Sequence, residues 1–148
     1  MKYKNLFIDF DDTLYDTKGN ANISLKEMFE YFHLDQYFPD YNKFHQSYWK
    51  TNVELWDQYA KGEIDRDYLI LERFRRPLSE GVDSNGKPFN PTPEYCLKVS
   101  DVFLDFCSNK PGLVDGAREL MDYLKQKGYK LCLKNFTKKA NLNGLWMN

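Results

Sequence analysis

The stretch NLFIDFDDTLYDT, residues 5–17, sets the tightest limit on what this chain can fold into. Leu6, Phe7, Ile8 and Phe10 form an apolar run with no helical length behind it, which reads as a buried strand of a parallel sheet. The run ends in Asp9, Asp11 and Asp12, carboxylates that repel one another and are costly to desolvate. Side chains alternate along a strand, so Asp9 and Asp11 share a side with α-carbons about 7 Å apart, while Phe10 points into the core. That position, the carboxyl end of a parallel strand, is where α/β folds bind ligands. A hard cation such as Mg2+ relieves the repulsion, because it takes one or two protein carboxylates and leaves other positions to a substrate phosphate. A solvated turn or helix cap is the bland alternative, disfavoured by the apolar strand before it. An EF-hand fails, since its glycine and glutamate positions hold Leu14 and Asn20.

At 148 residues the chain fits one domain, or one domain carrying an insertion. A hydrophobic fraction of 42%, with 17% aromatic, supports a packed core rather than disorder. Lys and Arg number 21 against 22 Asp and Glu, so no global charge draws the chain to nucleic acid or anionic lipid, and neither is expected as a partner. The apolar run before Asp9 is too short for a signal-peptide core, and no stretch nears the roughly 18 apolar residues of a membrane span. A soluble cytoplasmic protein is expected. Cys96, Cys107 and Cys132 match neither a metal pair nor a disulfide framework and read as reduced thiols. His33 and His45 lack a neighbouring Cys or His and read as packed or surface residues rather than ligands.

Beyond the acidic turn the period changes. Ser24 with Glu27 resembles a capping box, and Leu25, Met28, Phe29 and Phe32 recur at helical spacing, predicting a helix near 24–34. Phe44, Tyr48, Trp49, Val53, Trp56 and Ala60 predict a second, stopped by Gly62. Asp65 caps a third, which ends at Pro77. Residues 81–93 read as a loop, and Thr92 and Pro93 open a helix carrying Val99, Phe103 and Phe106. Asp115 reads as the N-cap of a further helix with a stripe of Leu120, Met121 and Leu124, stopped by Gly128, before a second strand at YKLCL, residues 129–133. The fold class is therefore α/β: a partial core, 1–16 and 109–148, interrupted by a helical insertion, 17–108.

DFDDTL matches the Asp-x-Asp-x-Thr signature of the haloacid dehalogenase-like (HAD) hydrolases. The resemblance implies a Rossmann-like parallel core with an inserted helical cap, and a Mg2+-dependent phosphatase. Asp9 would be the nucleophile and Asp11 the general acid, then base, with Asp9 and Asp11 both at the metal. Backbone groups from Phe10 to Asp12 would cradle phosphate, and the Asp11 carbonyl would ligate Mg2+. The segment KPGLVDGARELMDYLKQKGYKL is similar to the family's re-entry into the core, and residues 52–74 resemble the pyrimidine 5'-nucleotidase branch, which implies a nucleoside monophosphate substrate. Trp49, Trp56, Tyr59 and Phe74 lie at core-like spacing, so packing is favoured over substrate contact for each.

After YKLCL the family's second signature needs Ser or Thr followed by Asn. This chain has Lys134, then Asn135, with Thr137 beyond, so Asn135 is the candidate phosphate anchor. The later lysine and acidic-pair signatures have no counterpart, and the last fifteen residues lose apolar periodicity, which reads as a truncated form. Two strands alone leave sheet edges open for self-association. The competing reading is a non-catalytic remnant that binds Mg2+ or phosphate, or acts through its helical surface. A receiver-type signalling domain fits less well, because its second strand follows one short helix.

Overall fold

The computed structural model describes residues 3–134, and here the apolar run pairs as a strand: β1 (Asn5–Asp9) lies parallel to β2 (Lys130–Lys134), with Asn5 opposite Lys130 and Asp9 opposite Lys134. Between them run α1 (Thr17–Tyr31), a single 3-10 turn at Leu34–Gln36, α2 (Tyr41–Ala60), α3 (Arg66–Leu78), α4 (Pro93–Ser108) and α5 (Ala117–Gln126). The described residues are thus mostly helical, with a two-stranded parallel sheet. They divide into two compact units, Met1–Asn22 with Ser108–Asn148, and Ile23–Cys107. Among the described residues no helix is long and apolar enough to cross a membrane.

In the first unit Phe10, Leu14 and Ala117 are buried, with Ile8, Tyr15, Val114, Met121 and Leu133 packed against them. Alternation sends the intervening β1 side chain to the other face, where Phe7 is 76% exposed opposite an exposed Cys132. Among the described residues the strand read as buried is thus exposed on the Phe7 face, while α5 packs against the sheet on the other. A Schellman-type end closes α5, with the Gly128 amide donating to Lys125 and the Tyr129 amide to Leu124, and Gly128 itself at φ 75°.

The second unit is built around aromatic rings. Phe29, Phe38 and Phe44 meet at centroid distances of 5.3 to 6.3 Å, and Tyr48, Phe74 and Phe103 at 5.2 to 5.7 Å. The Arg73 guanidinium enters this second group, 5.4 Å from the Phe74 ring and 5.6 Å from that of Phe103, and donates from Nη2 to Ser100 Oγ at 2.6 Å. Burial pulls the Arg73 pKa down. Burial pushes the Tyr48 hydroxyl up to about 12, against the pull of Arg73, and the Cys96 thiol up to about 11. Cys96, Cys107 and Cys132 are all free thiols.

Several boundaries depart from the sequence reading. The first helix begins at Thr17, not near Ser24, because Asp16 caps it by accepting the Gly19 amide at 2.8 Å; Ser24 is buried mid-helix. In α2 the buried positions are Phe44, Tyr48, Thr51 and Leu55, so Val53, Trp56 and Ala60 fall on the exposed side. Helix α3 runs through Pro77 to Leu78, since a proline in the last turn disturbs few remaining bonds. Gly116, not Asp115, is the N-cap of α5, in a left-handed conformation with no side-chain cap. Asp65 and Thr92 do cap α3 and α4, accepting from Tyr68 and Tyr95 amides, and Asp40, which the sequence reading did not single out, caps α2 by accepting from Asn42.

Tyr48 gives a pH dependence. The unfolded hydroxyl ionises near 10 while the folded one holds its proton to about 12, so this contribution is complete below pH 10 and is lost as pH rises through that window. Urea unfolding should weaken across it by on the order of 2 to 3 kcal/mol from this residue, and Tyr48→Phe should abolish that share of the slope.

Candidate active site

The residues after β1 turn sharply because one carbonyl gathers three amides. Phe10 O accepts from Leu14 and Tyr15, both at 3.0 Å, and from Thr13 at 3.4 Å. Asp12 takes a left-handed conformation, φ 53°, and its N–H donates to Tyr15 O at 2.9 Å and to Thr17 Oγ1 at 3.3 Å. Aspartate tolerates that region better than most side chains. The Phe10 and Tyr15 rings stack, 5.3 Å apart and 10° from parallel, which anchors both ends of the turn in the first unit's core.

This turn fixes where the acidic residues stand. Asp9 closes β1, half-buried, and Thr13 Oγ1 donates to its Oδ2 at 3.2 Å. Asp11 is half-buried in the turn and Asp12 exposed. Phe10 is buried. Asn135 lies outside the described residues. The Asp12 amide is already engaged inside the chain, so donating it to a phosphate would require it to exchange those partners.

A second strip of chain braces the turn. Asp16 N–H donates to Gly112 O at 3.1 Å, and Val114 N–H to Leu14 O at 2.9 Å. The buried Asn20 side chain bonds Gly112 twice, through Nδ2 to the carbonyl at 2.9 Å and through Oδ1 from the amide at 3.1 Å. Thr13, Asn20 and Gly112 were not singled out by sequence. Thr13 stood in the motif, and a glycine after Pro111 hinted at close approach, but nothing in the pattern marks Asn20.

Of the ring residues, Phe74 is fully buried and serves packing. Trp49 and Tyr59 are half-buried, and Trp56 is partly exposed with its ring 5.7 Å from that of Tyr59.

For a cation, the donors at this turn are hard carboxylate oxygens, the kind Mg2+ prefers. Among the described residues no three His, Cys, Asp or Glu side chains converge into a metal-holding group. Mg2+ does not need three, since it keeps waters and uses one or two carboxylates with phosphate oxygens. Asp9 and Asp11 supply the donor type such an ion takes as partial ligands.

A parallel strand pair that ends in an acidic turn, with helices inserted between its strands, agrees with what the DFDDTL resemblance implies. Comparison with known proteins agrees at that level. The chain is 28% identical over 127 residues, 85% of its length, to "Putative HAD-hydrolase YfnB" of Bacillus subtilis (strain 168). It also resembles the orthorhombic crystal structure of that Bacillus subtilis protein bound to magnesium, with a TM-score of 0.74 at 25% identity, over 90% of this chain and 52% of that one. The chain spans about half the length of the curated relative it matches. No family model matches it. These matches establish a distant relationship to a HAD hydrolase and do not single out the nucleotidase branch.

The left-handed residue offers a direct check. Asp12→Val should cost about 1 to 2 kcal/mol of stability in urea denaturation, while Asp12→Gly should be close to neutral.

Proposed function

We propose that this chain carries the reaction centre of a Mg2+-dependent phosphohydrolase of the HAD type, acting on a nucleoside monophosphate. The observation that carries the reading is Asp9 at the carboxyl end of β1, with one oxygen held by Thr13 Oγ1 and Asp11 in the turn that follows. The relationship to YfnB, whose crystal structure holds magnesium, supports it.

The chemistry divides between two carboxyl groups. An Asp9 oxygen attacks phosphorus, forming an aspartyl-phosphate as the bond to the leaving alkoxide breaks. Asp11, protonated at this stage, gives its proton to that alkoxide. Asp11 then takes a proton from water, which attacks phosphorus and releases Asp9 and phosphate. Asp9 and Asp11 would hold Mg2+, which supplies positive charge against the phosphoryl oxygens when bound. Thr13 holds Asp9 in one orientation, which matters because misplacement of a nucleophile by about 1 Å is costly to rate. The nucleotide preference rests on the similarity of residues 52–74 to the pyrimidine 5'-nucleotidases. Among the described residues Phe7 is exposed and the sheet has two strands with open edges, which favours self-association.

Phosphate release from a panel of nucleoside monophosphates, with Mg2+ and with EDTA, tests the proposal. Metal-dependent release should occur and should fall at least about a thousand-fold in Asp9→Asn. Undiminished turnover would remove Asp9 from the nucleophile's role, and Mg2+ binding without any release would leave a binding module.

A further inference from the structure

Asn20 is a polar residue at 3% exposure in the second turn of α1, and both ends of its amide are spent on one glycine. Nδ2 donates to the Gly112 carbonyl at 2.9 Å and the Gly112 amide donates to Oδ1 at 3.1 Å, across 92 residues of sequence. The side chain thereby imitates a neighbouring strand, answering donor with acceptor and acceptor with donor. The two positions specify each other, for a β-carbon on Gly112 would collide with Asn20 Oδ1.

What Asn20 grips is the strip that holds the acidic turn. Gly112 O also receives the Asp16 amide at 3.1 Å, and Val114 donates to Leu14 O at 2.9 Å. Leu14 and Tyr15 in turn donate to Phe10 O, and Asp12 donates to Tyr15 O. A continuous series of hydrogen bonds therefore leads from the Asn20 amide, through Gly112, to the residues on either side of Asp11. The ladder with β2 fixes Asp9 independently, so the loop Phe10–Asp16 is the part of the site whose placement depends on this brace.

We infer that Asn20 is a positioning residue for the acidic turn: by clamping Gly112 it sets where Asp11 stands relative to Asp9. The inference rests on the reading of this turn as the reaction centre. Removing Asn20 frees the strip at Gly112, takes away the partner of the half-buried Gly112 amide, leaves the Gly112 carbonyl with the Asp16 amide alone, and lets the loop sample other arrangements. Asp9 and Asp11, which must both reach one cation, then lose their preset spacing, as happens when outer partners of metal ligands are removed.

Amide hydrogen exchange and Mg2+ titration by NMR on the 148-residue chain test this in two separable parts. In the metal-free protein, Asn20→Ala should speed exchange at Asp12, Leu14 and Tyr15 by about tenfold or more, while the β1 amides bonded to β2 change little. Asn20→Ser keeps one hydrogen-bonding oxygen and should show a smaller change, which covers the case in which the alanine variant does not fold. Mg2+ affinity should fall about 10- to 100-fold in the Asn20 variants. Met121→Ala, which trims the core cluster of the same unit and leaves both Asn20–Gly112 hydrogen bonds in place, should lower the melting temperature without weakening Mg2+ binding comparably. Wild-type exchange rates at the three amides would overturn the inference. So would an equal loss of Mg2+ affinity in Met121→Ala, which would make Asn20 a merely structural residue. A wild-type chain blind to Mg2+ would sink the metal part of the proposed function, and the exchange rates would still decide the role of Asn20.

Discussion

The acidic turn depends on a main-chain bracket between segments far apart in sequence. Left alone, three aspartates within four residues would splay into solvent, since nothing in a short loop opposes their repulsion. Here β2 pairs along the whole of β1, and the strip Gly112–Val114 bonds to Leu14 and Asp16 just beyond the turn. The backbone is thus held on both sides of the carboxylates, and Phe10 and Tyr15 add a stacked contact beneath. Backbone bonds suit this task because they cannot be lost by rotating a side chain, and each buried polar group they satisfy would otherwise be costly.

The helical unit solves a different electrostatic problem. Arg73 is buried among rings with Ser100 as its hydrogen-bond acceptor, and its Nε has no partner. Burying such a cation is expensive, which is why its proton affinity falls, and the faces of Phe74 and Phe103 offset part of that cost. The neighbouring Glu72 follows the usual rule instead: it is buried and held by Arg75 at 2.6 Å and Arg76 at 3.3 Å. Helix α3 therefore carries adjacent charges with opposite arrangements, one answered by ion pairs and the other by aromatic faces.

Much of this was legible in the sequence where the signal is local. Asp65 and Thr92 cap helices because cap chemistry needs only a side chain and the next turn, and the strand before Asp9 follows from its apolar run. The coarse family resemblance lay in six contiguous residues, and YfnB supports it. What stayed hidden depends on distant partners. Ser24 with Glu27 imitated a helix start, yet Asp16 had already capped the helix and Ser24 is buried within it. Val53 and Trp56 counted as core by spacing, but among the described residues the face they occupy is exposed. Asn20 is unremarkable until Gly112 is placed against it. Among the described residues the exposure of β1 on its Phe7 face likewise depends on which helices reach the sheet.

The pairing of β1 with β2 also dictates an order of events. A chain emerging from the ribosome displays β1 before its partner β2, and five helices are made in between. The helical unit, rich in local contacts, can consolidate meanwhile, whereas the sheet must wait for the most entropically demanding closure in the molecule. During that interval the apolar run Leu6–Ile8 has no strand beside it, and the ladder that gives β1 its register forms late.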